Sequence, residues 1–268
     1  MADPSPSAAR PGGPPPASTA PTAAVLVIGN EILSGRTQDI NLRFLAQRLA
    51  ARGVRLAEAR VIPDVPDVIV ATVNELRARY DVLFTTGGIG PTHDDITSEC
   101  VAGAFGVPWE PHAAAWARME RAYKPGEFNA ARQRMATMPR GASLIDNPVS
   151  TAPGFTIGNV HVLAGVPRVM QAMFETLAPH LPGGTPIEAR AVHALGASEG
   201  RIAAGLGTIA ARYEEVEIGS YPFYRPDGNG VAIVAKGTDP ARLDAAIAEV
   251  AGLFTALGYA PVVGEPAG

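Results

Sequence analysis

Apolar and polar positions change rhythm several times along the chain, and each change marks an element. Ala23 to Ile28 is an unbroken apolar run ending at Gly29, as in a strand buried on both faces. Ile40, Phe44, Leu45 and Leu49 then recur at helical spacing up to Gly53, a natural C-terminal cap. Val54 to Ile62 reads as a second strand. The helix after it collects Val65, Val68, Ile69, Thr72, Val73 and Leu76 on its inner face. Asp81 to Thr86 is a third strand that runs into a glycine-rich loop, and Thr97 to Phe105 resumes a helix. Strand–helix alternation with short connections predicts a parallel sheet, right-handed crossovers and helices on both faces.

Residues 107–140 interrupt this alternation as a helical, arginine-rich excursion. Strands return at Ala142–Ile145, Phe155–Ile157 and Val160–Ala164, followed by a helix from Pro167 to Pro179. Leu181 to Pro186, rich in Pro and Gly, reads as a linker. Beyond it the pattern is strand Ile187–Leu195, helix Glu199–Ala211, strands Val216–Tyr221 and Gly230–Lys236, and helix Pro240–Leu257. The expected organisation is a disordered tail over 1–22, an α/β domain over 23–182 and a small α+β domain over 187–264. The tail is rich in Pro, Ala, Ser and Gly. It is too poor in large apolar groups to offset the entropy of ordering, and it lacks the apolar core of a secretory signal. No internal repeat is visible.

Composition narrows the function. The 268 residues suffice for one large domain or two unequal ones. A net charge of −4 provides no basic field to draw nucleic acid or an anionic membrane, so neither is expected as a partner. No apolar run approaches the roughly 18 to 20 residues of a membrane span. Cys100 is the single cysteine, which excludes an intramolecular disulfide and a multi-cysteine zinc site. It fits a reducing compartment, and a cytoplasmic location is expected.

The candidate chemistry lies in loops that follow strands: Gly29-Asn30-Glu31, Pro63-Asp64, Gly87 to Asp95, and Gly165-Val166-Pro167. In a parallel sheet all of these reach the same edge, where doubly wound folds bind ligands. In Gly87-Gly88-Ile89-Gly90, missing side chains let backbone N–H groups approach a phosphate, and the helix near Thr97 adds its positive end. A tight strand–helix turn also explains these glycines. The loop has no Gly-Lys-Ser/Thr P-loop, and His93 occupies the third glycine position of a dinucleotide fingerprint. Adjacent Asp94 and Asp95 would repel each other and a phosphate without a cation between them. With Glu31 and Asp64 on the same edge, they are the candidate ligands of a hard divalent ion that would bridge a diphosphate and activate water. Asp95 can equally cap the following helix, with Asp94 solvated. His93 is a candidate base or phosphate donor. Thr86 and Thr92 are hydroxyl donors that can also serve the turn. Asn129, Arg132 and Arg134 in the excursion can reach over the site or remain solvated. Asn147 to Phe155, dense in turn formers, reads as a structural loop.

Taken together, Gly29 to Gly35, Thr37 to Asn41, Thr86 to Thr97 and Asn147 to Phe155 resemble the competence/damage-inducible protein A (CinA) family. They also resemble the molybdopterin-binding domain at the front of eukaryotic FAD synthase and, more distantly, the molybdopterin-binding and adenylylating proteins of MoaB/Mog type. Gly196 to Gly200 and Ile218 to Pro222 resemble the KH-like segment of the competence protein, and the amidase activity of long family members is not expected. The resemblance implies a three-layer α/β/α fold with a mostly parallel sheet, a smaller KH-like α+β domain, and homo-oligomers. It implies a metal-dependent pyrophosphatase (Mg, Mn or Co) acting on ADP-ribose or FAD. The ligand it implies is a small nucleotide or pterin. Asp94, Asp95 and Asp64 would be catalytic, with Glu31 joining them as metal ligands. Asn30, Glu31, Thr86, Gly87, Gly88, Gly90, Thr92, His93, Asn129, Arg132 and Gly165 would bind the ligand. Asn30 stands where the family commonly has Asp, and Ala164 where it has Pro. A binding protein without turnover and a molybdopterin adenylylating protein are the alternatives.

Overall fold

The computed structural model describes residues 20–226 and 228–266. Of the expected tail, residues 1–19 lie outside the described residues. Thr22 belongs to the first strand, where its N–H and hydroxyl both donate to Asp81 Oδ2 at 2.7 Å. The chain forms two compact units, one from Ala20 to Ile187 and one from Glu188 onward.

The first unit begins with β1 (Thr22–Ile28), α1 (Asn30–Leu33), α2 (Asn41–Ala51), β2 (Arg55–Ile62), α3 (Pro66–Arg79), β3 (Val82–Thr86) and α4 (Thr97–Phe105). It continues with β4 (Trp109–Pro111), α5 (Ala113–Ala122), α6 (Ala130–Arg134), β5 (Thr137–Pro139), β6 (Ser143–Ile145), β7 (Gly154–Ile157), β8 (Val160–Leu163) and α7 (Pro167–Leu177). The six-stranded sheet has the order β2-β1-β3-β8-β7-β6, parallel from β2 to β8 and antiparallel on either side of β7. Alternation along β1 divides the core. Ala24, Leu26 and Ile28 pack under α3, α4 and α5, while Ala23, Val25 and Val27 pack under α2 and α7. This is the three-layer arrangement, with fully buried Phe84 and Phe174 anchoring the second face at about 1.5–3 kcal/mol each.

Two expectations are corrected. The excursion is not all helical, because β4 and β5 pair antiparallel and tie its two ends together. Three-residue strands are too short to show a period. The expected linker is also ordered. Gly184 N–H donates to Arg52 O and Ile187 N–H to Ala50 O, both at 2.9 Å, so the first unit runs on to Ile187.

The second unit contains β9 (Glu188–Leu195), α8 (Glu199–Arg212), β10 (Glu217–Arg225), β11 (Gly228–Gly237), α9 (Pro240–Ala256) and β12 (Val262–Val263). Its antiparallel sheet has the order β10-β11-β9-β12. Both helices contribute to one core with Val192, Val231 and Ile233. The hairpin of β10 and β11 runs past Tyr221 because Pro222 sits on an edge strand, where a missing N–H is tolerated.

Candidate functional site

The loops after β1, β3 and β8 meet in a cavity of about 480 Å³. Gly87 and Gly88 have φ of 101° and 68°, which only glycine adopts readily. A Cβ at Gly87 would lie 2.2 Å from Ile28 O, and one at Gly88 2.2 Å from Thr97 Oγ1. The loop is therefore pressed against both β1 and α4, with Thr97 N–H donating to Gly88 O at 2.9 Å. The N–H groups of Gly88, Ile89 and Gly90 have no protein acceptor among the described residues, and all three residues line the cavity. Gly165 packs on the same loop, a Cβ there falling 3.2 Å from Gly87 Cα, and it precedes the N-terminus of α7.

Two carboxylates enter this cavity, those of Glu31 and Asp95. Each lies over a glycine: Glu31 oxygens come within 2.6 Å of a Cβ built on Gly29, and Asp95 Oδ2 within 2.6 Å of one on Gly90. Any side chain at Gly29 or Gly90 would push the acid away. Asp95 is held further by Thr92, whose N–H and hydroxyl donate to Oδ2 at 2.7 and 2.5 Å. The other walls are largely apolar, from Ile89, Met135, Val166, Val169 and Met173, and no Lys or Arg lines them. Acids on a lining that holds no basic side chain, beside open N–H donors, suit a hard divalent ion that keeps water and takes phosphate oxygens.

Of the expected site residues, Glu31, Gly87, Gly88, Gly90, Asp95 and Gly165 are brought together. The remainder stand elsewhere. Asp64 accepts the Asn30 N–H at 2.8 Å, so these two tie the loops after β1 and β2 to each other. Thr86 is buried, and Thr92 serves the turn at Asp95. His93 is 99% exposed and Asp94 64% exposed. The four acids do not converge on one point: among the described residues, no group of three or more His, Cys, Asp or Glu side chains is arranged to hold a metal ion. Glu31 and Asp95 are the pair that could do so, with the remaining ligands supplied by phosphate and water.

The excursion divides between its two readings. Asn129 caps α6 by accepting Arg132 N–H, and Arg132 turns away to Glu127 O at 2.6 Å and the Tyr123 ring. Arg134 is the one that turns to the site, donating to Asp95 O at 3.3 Å with its guanidinium over Trp109. Its Nε is buried without a partner among the described residues. Residues two apart on a helix differ by about 200° in direction, so only one of the pair could face the loop. Asn147 is both structural and lining: its Oδ1 accepts Val149 and Ser150 N–H at 3.0 Å, while Asn147 and Ser150 line the cavity. The run of turn formers was its visible signal. The apolar wall of Met135 and Met173 carried none.

Comparison with known proteins agrees with this architecture. Residues 24–183 match the family model described as probable molybdopterin binding domain, and residues 190–261 match FAD synthase, middle domain. A CinA-like protein of Citrifermentans bemidjiense is 40% identical over 60% of this chain, which spans 40% of that protein's length. A protein of Pyrobaculum calidifontis is 36% identical over 75% of this chain and 81% of its own. The crystal structure of a CinA of unknown function from Thermoplasma acidophilum aligns at a TM-score of 0.58 and 33% identity, covering 61% of this chain and 99% of that one. No helix among the described residues is long and apolar enough to cross a membrane. On sequence and fold alike, the chain belongs to the molybdopterin-binding-domain family, alongside the CinA-like proteins.

Proposed function

We propose that the chain is a divalent-metal-dependent nucleotide pyrophosphatase of the ADP-ribose or FAD class. The observation that carries this reading is the cavity in which Glu31 and Asp95 face open N–H groups with no basic side chain on the lining. A bare diphosphate would be repelled there, whereas a metal-complexed one is matched on both counts. Gly88, Ile89 and Gly90 donate to phosphate oxygens, and the first turn of α7 adds its positive end. The apolar wall takes a planar ring. Asp95, fixed by Thr92, and Glu31 hold the ion; when bound, it supplies charge neutralisation and a water acidic enough to attack phosphorus. Hydrolysis of ADP-ribose then yields AMP and ribose phosphate.

A second reading, binding of a nucleotide or pterin without turnover, is favoured by one observation: Asp64 is engaged at Asn30 and Asp94 faces solvent, leaving two acids instead of four. The deciding experiment is a chromatographic assay with ADP-ribose, FAD and NAD, each with Mg²⁺, Mn²⁺ or Co²⁺ and with chelator. AMP that requires metal and vanishes in Asp95→Ala supports hydrolysis. Ligand-induced thermal stabilisation without product supports the binding protein.

A further inference from the structure

Asn41 opens α2 and is 4% exposed, one of the buried residues of that helix together with Leu45 and Leu49. Its Nδ2 donates to the Gly165 carbonyl at 2.8 Å. That carbonyl shares a peptide unit with the Val166 N–H, and the described residues contain no cis peptide bond. In a trans peptide the C=O and N–H point in opposite directions. Holding the carbonyl toward Asn41 therefore turns the Val166 N–H away from Asn41, and both Gly165 and Val166 line the cavity. That N–H has no protein acceptor among the described residues. The amide cannot be reversed, because Oδ1 would then oppose the carbonyl oxygen. As it stands, Oδ1 is buried without a partner. An apolar side chain would fill this place without leaving an orphaned acceptor, so what the amide contributes here is the bond that Nδ2 makes.

We propose that Asn41 is a positioning residue of the anion subsite. It clamps the 164–167 loop against Gly87 so that the Val166 N–H and the first turn of α7 are aimed at a phosphate oxygen of the ligand. This rests on the phosphate reading of the cavity, but not on turnover.

The test uses the whole chain. In wild-type protein, the Val166 amide resonance is followed while AMP with Mg²⁺, and separately inorganic phosphate, is added; adenosine is the control. A shift with both phosphate probes and none with adenosine is expected. Asn41→Asp, which removes the donor, should lose that shift and bind AMP at least tenfold more weakly. Asn41→Gln, which keeps an amide, should recover part of both. If wild-type protein gives no AMP from any dinucleotide and yet shows the Val166 shift, the hydrolase reading fails and the role of Asn41 stands. If hydrolysis proceeds and folded Asn41→Asp keeps wild-type KM, kcat and the Val166 shift, Asn41 is only a strut. Absence of the shift in wild-type protein overturns the proposal whether or not the variants fold.

Discussion

The two units use the same materials, helices packed on a sheet, and differ in where their strands end. In the first, β2, β1, β3 and β8 run parallel, so the loops that follow them all reach one edge. Residues as distant in sequence as Glu31, Gly88, Asp95 and Gly165 line the same cavity for that reason. In the second, every pairing is antiparallel, so the strands end at both edges, β9 and β10 at one and β11 and β12 at the other. Its polar side chains pair with one another between elements instead: Arg190 with Asp244 at 2.8 Å, Tyr213 with Glu249 at 2.9 Å, Ser220 with Glu199 at 2.7 Å. A parallel sheet gathers chemistry at one edge, and an antiparallel one disperses it.

Substitutions should separate the units accordingly. The largest effect is expected for Asp95→Ala, which should lower metal-dependent turnover by about 10²–10³-fold, as loss of a group that stabilises transition-state charge does. Steady-state kinetics on ADP-ribose, beside a circular dichroism check of the fold, measures it. Retention of turnover would remove the catalytic contrast between the units. Next, Gly87→Ala should destabilise the first unit by about 3 kcal/mol, because the new Cβ meets Ile28 O in a left-handed backbone. Urea denaturation reads this directly.

The third effect is a pH dependence specific to the first unit. Burial pushes His161 down to about 4, with Nδ1 against the Thr156 hydroxyl at 2.8 Å. The unfolded chain takes up a proton near the ordinary value of 6.5 while the folded chain stays neutral. Stability is therefore complete above pH 6.5 and declines as pH falls toward 4. The loss between neutral pH and pH 5 should be at most about 2 kcal/mol. Urea midpoints at the two pH values test it, and His161→Leu should flatten the difference. The smallest effect has the opposite sign. Gly207 lies in α8 with open space where a Cβ would go, so Gly207→Ala should stabilise the second unit by about 0.5–1 kcal/mol. A loss of stability there would mean that glycines are needed in both units.

Much of this was legible beforehand. The apolar run Ala23–Ile28, the helical spacing from Ile40 to Leu49 and the glycine loop after Thr86 each express a local rule, and the corresponding β1, α2 and β3 stand where expected. The brief strands β4, β5 and β12 were not legible, since two or three residues establish no period. Among the acids, sequence placed Glu31, Asp64, Asp94 and Asp95 after strands of one sheet but could not orient them. Asp64 accepts the Asn30 N–H and Asp94 is exposed, whereas Asp95 is held by Thr92 and lies over Gly90, contacts that no local pattern announces.

By itself, then, the sequence determined the layers, the parallel order implied by alternation, and the edge at which ligand chemistry collects. These follow from periodicity and chain connectivity, which are local properties. Only the tertiary structure decided that Arg134 and not Arg132 faces the loop, that Asn41 reaches Gly165 across 124 residues, and that two acids and not four line the cavity. Side-chain direction depends on the packing of neighbours far away in the chain, and no local pattern records it.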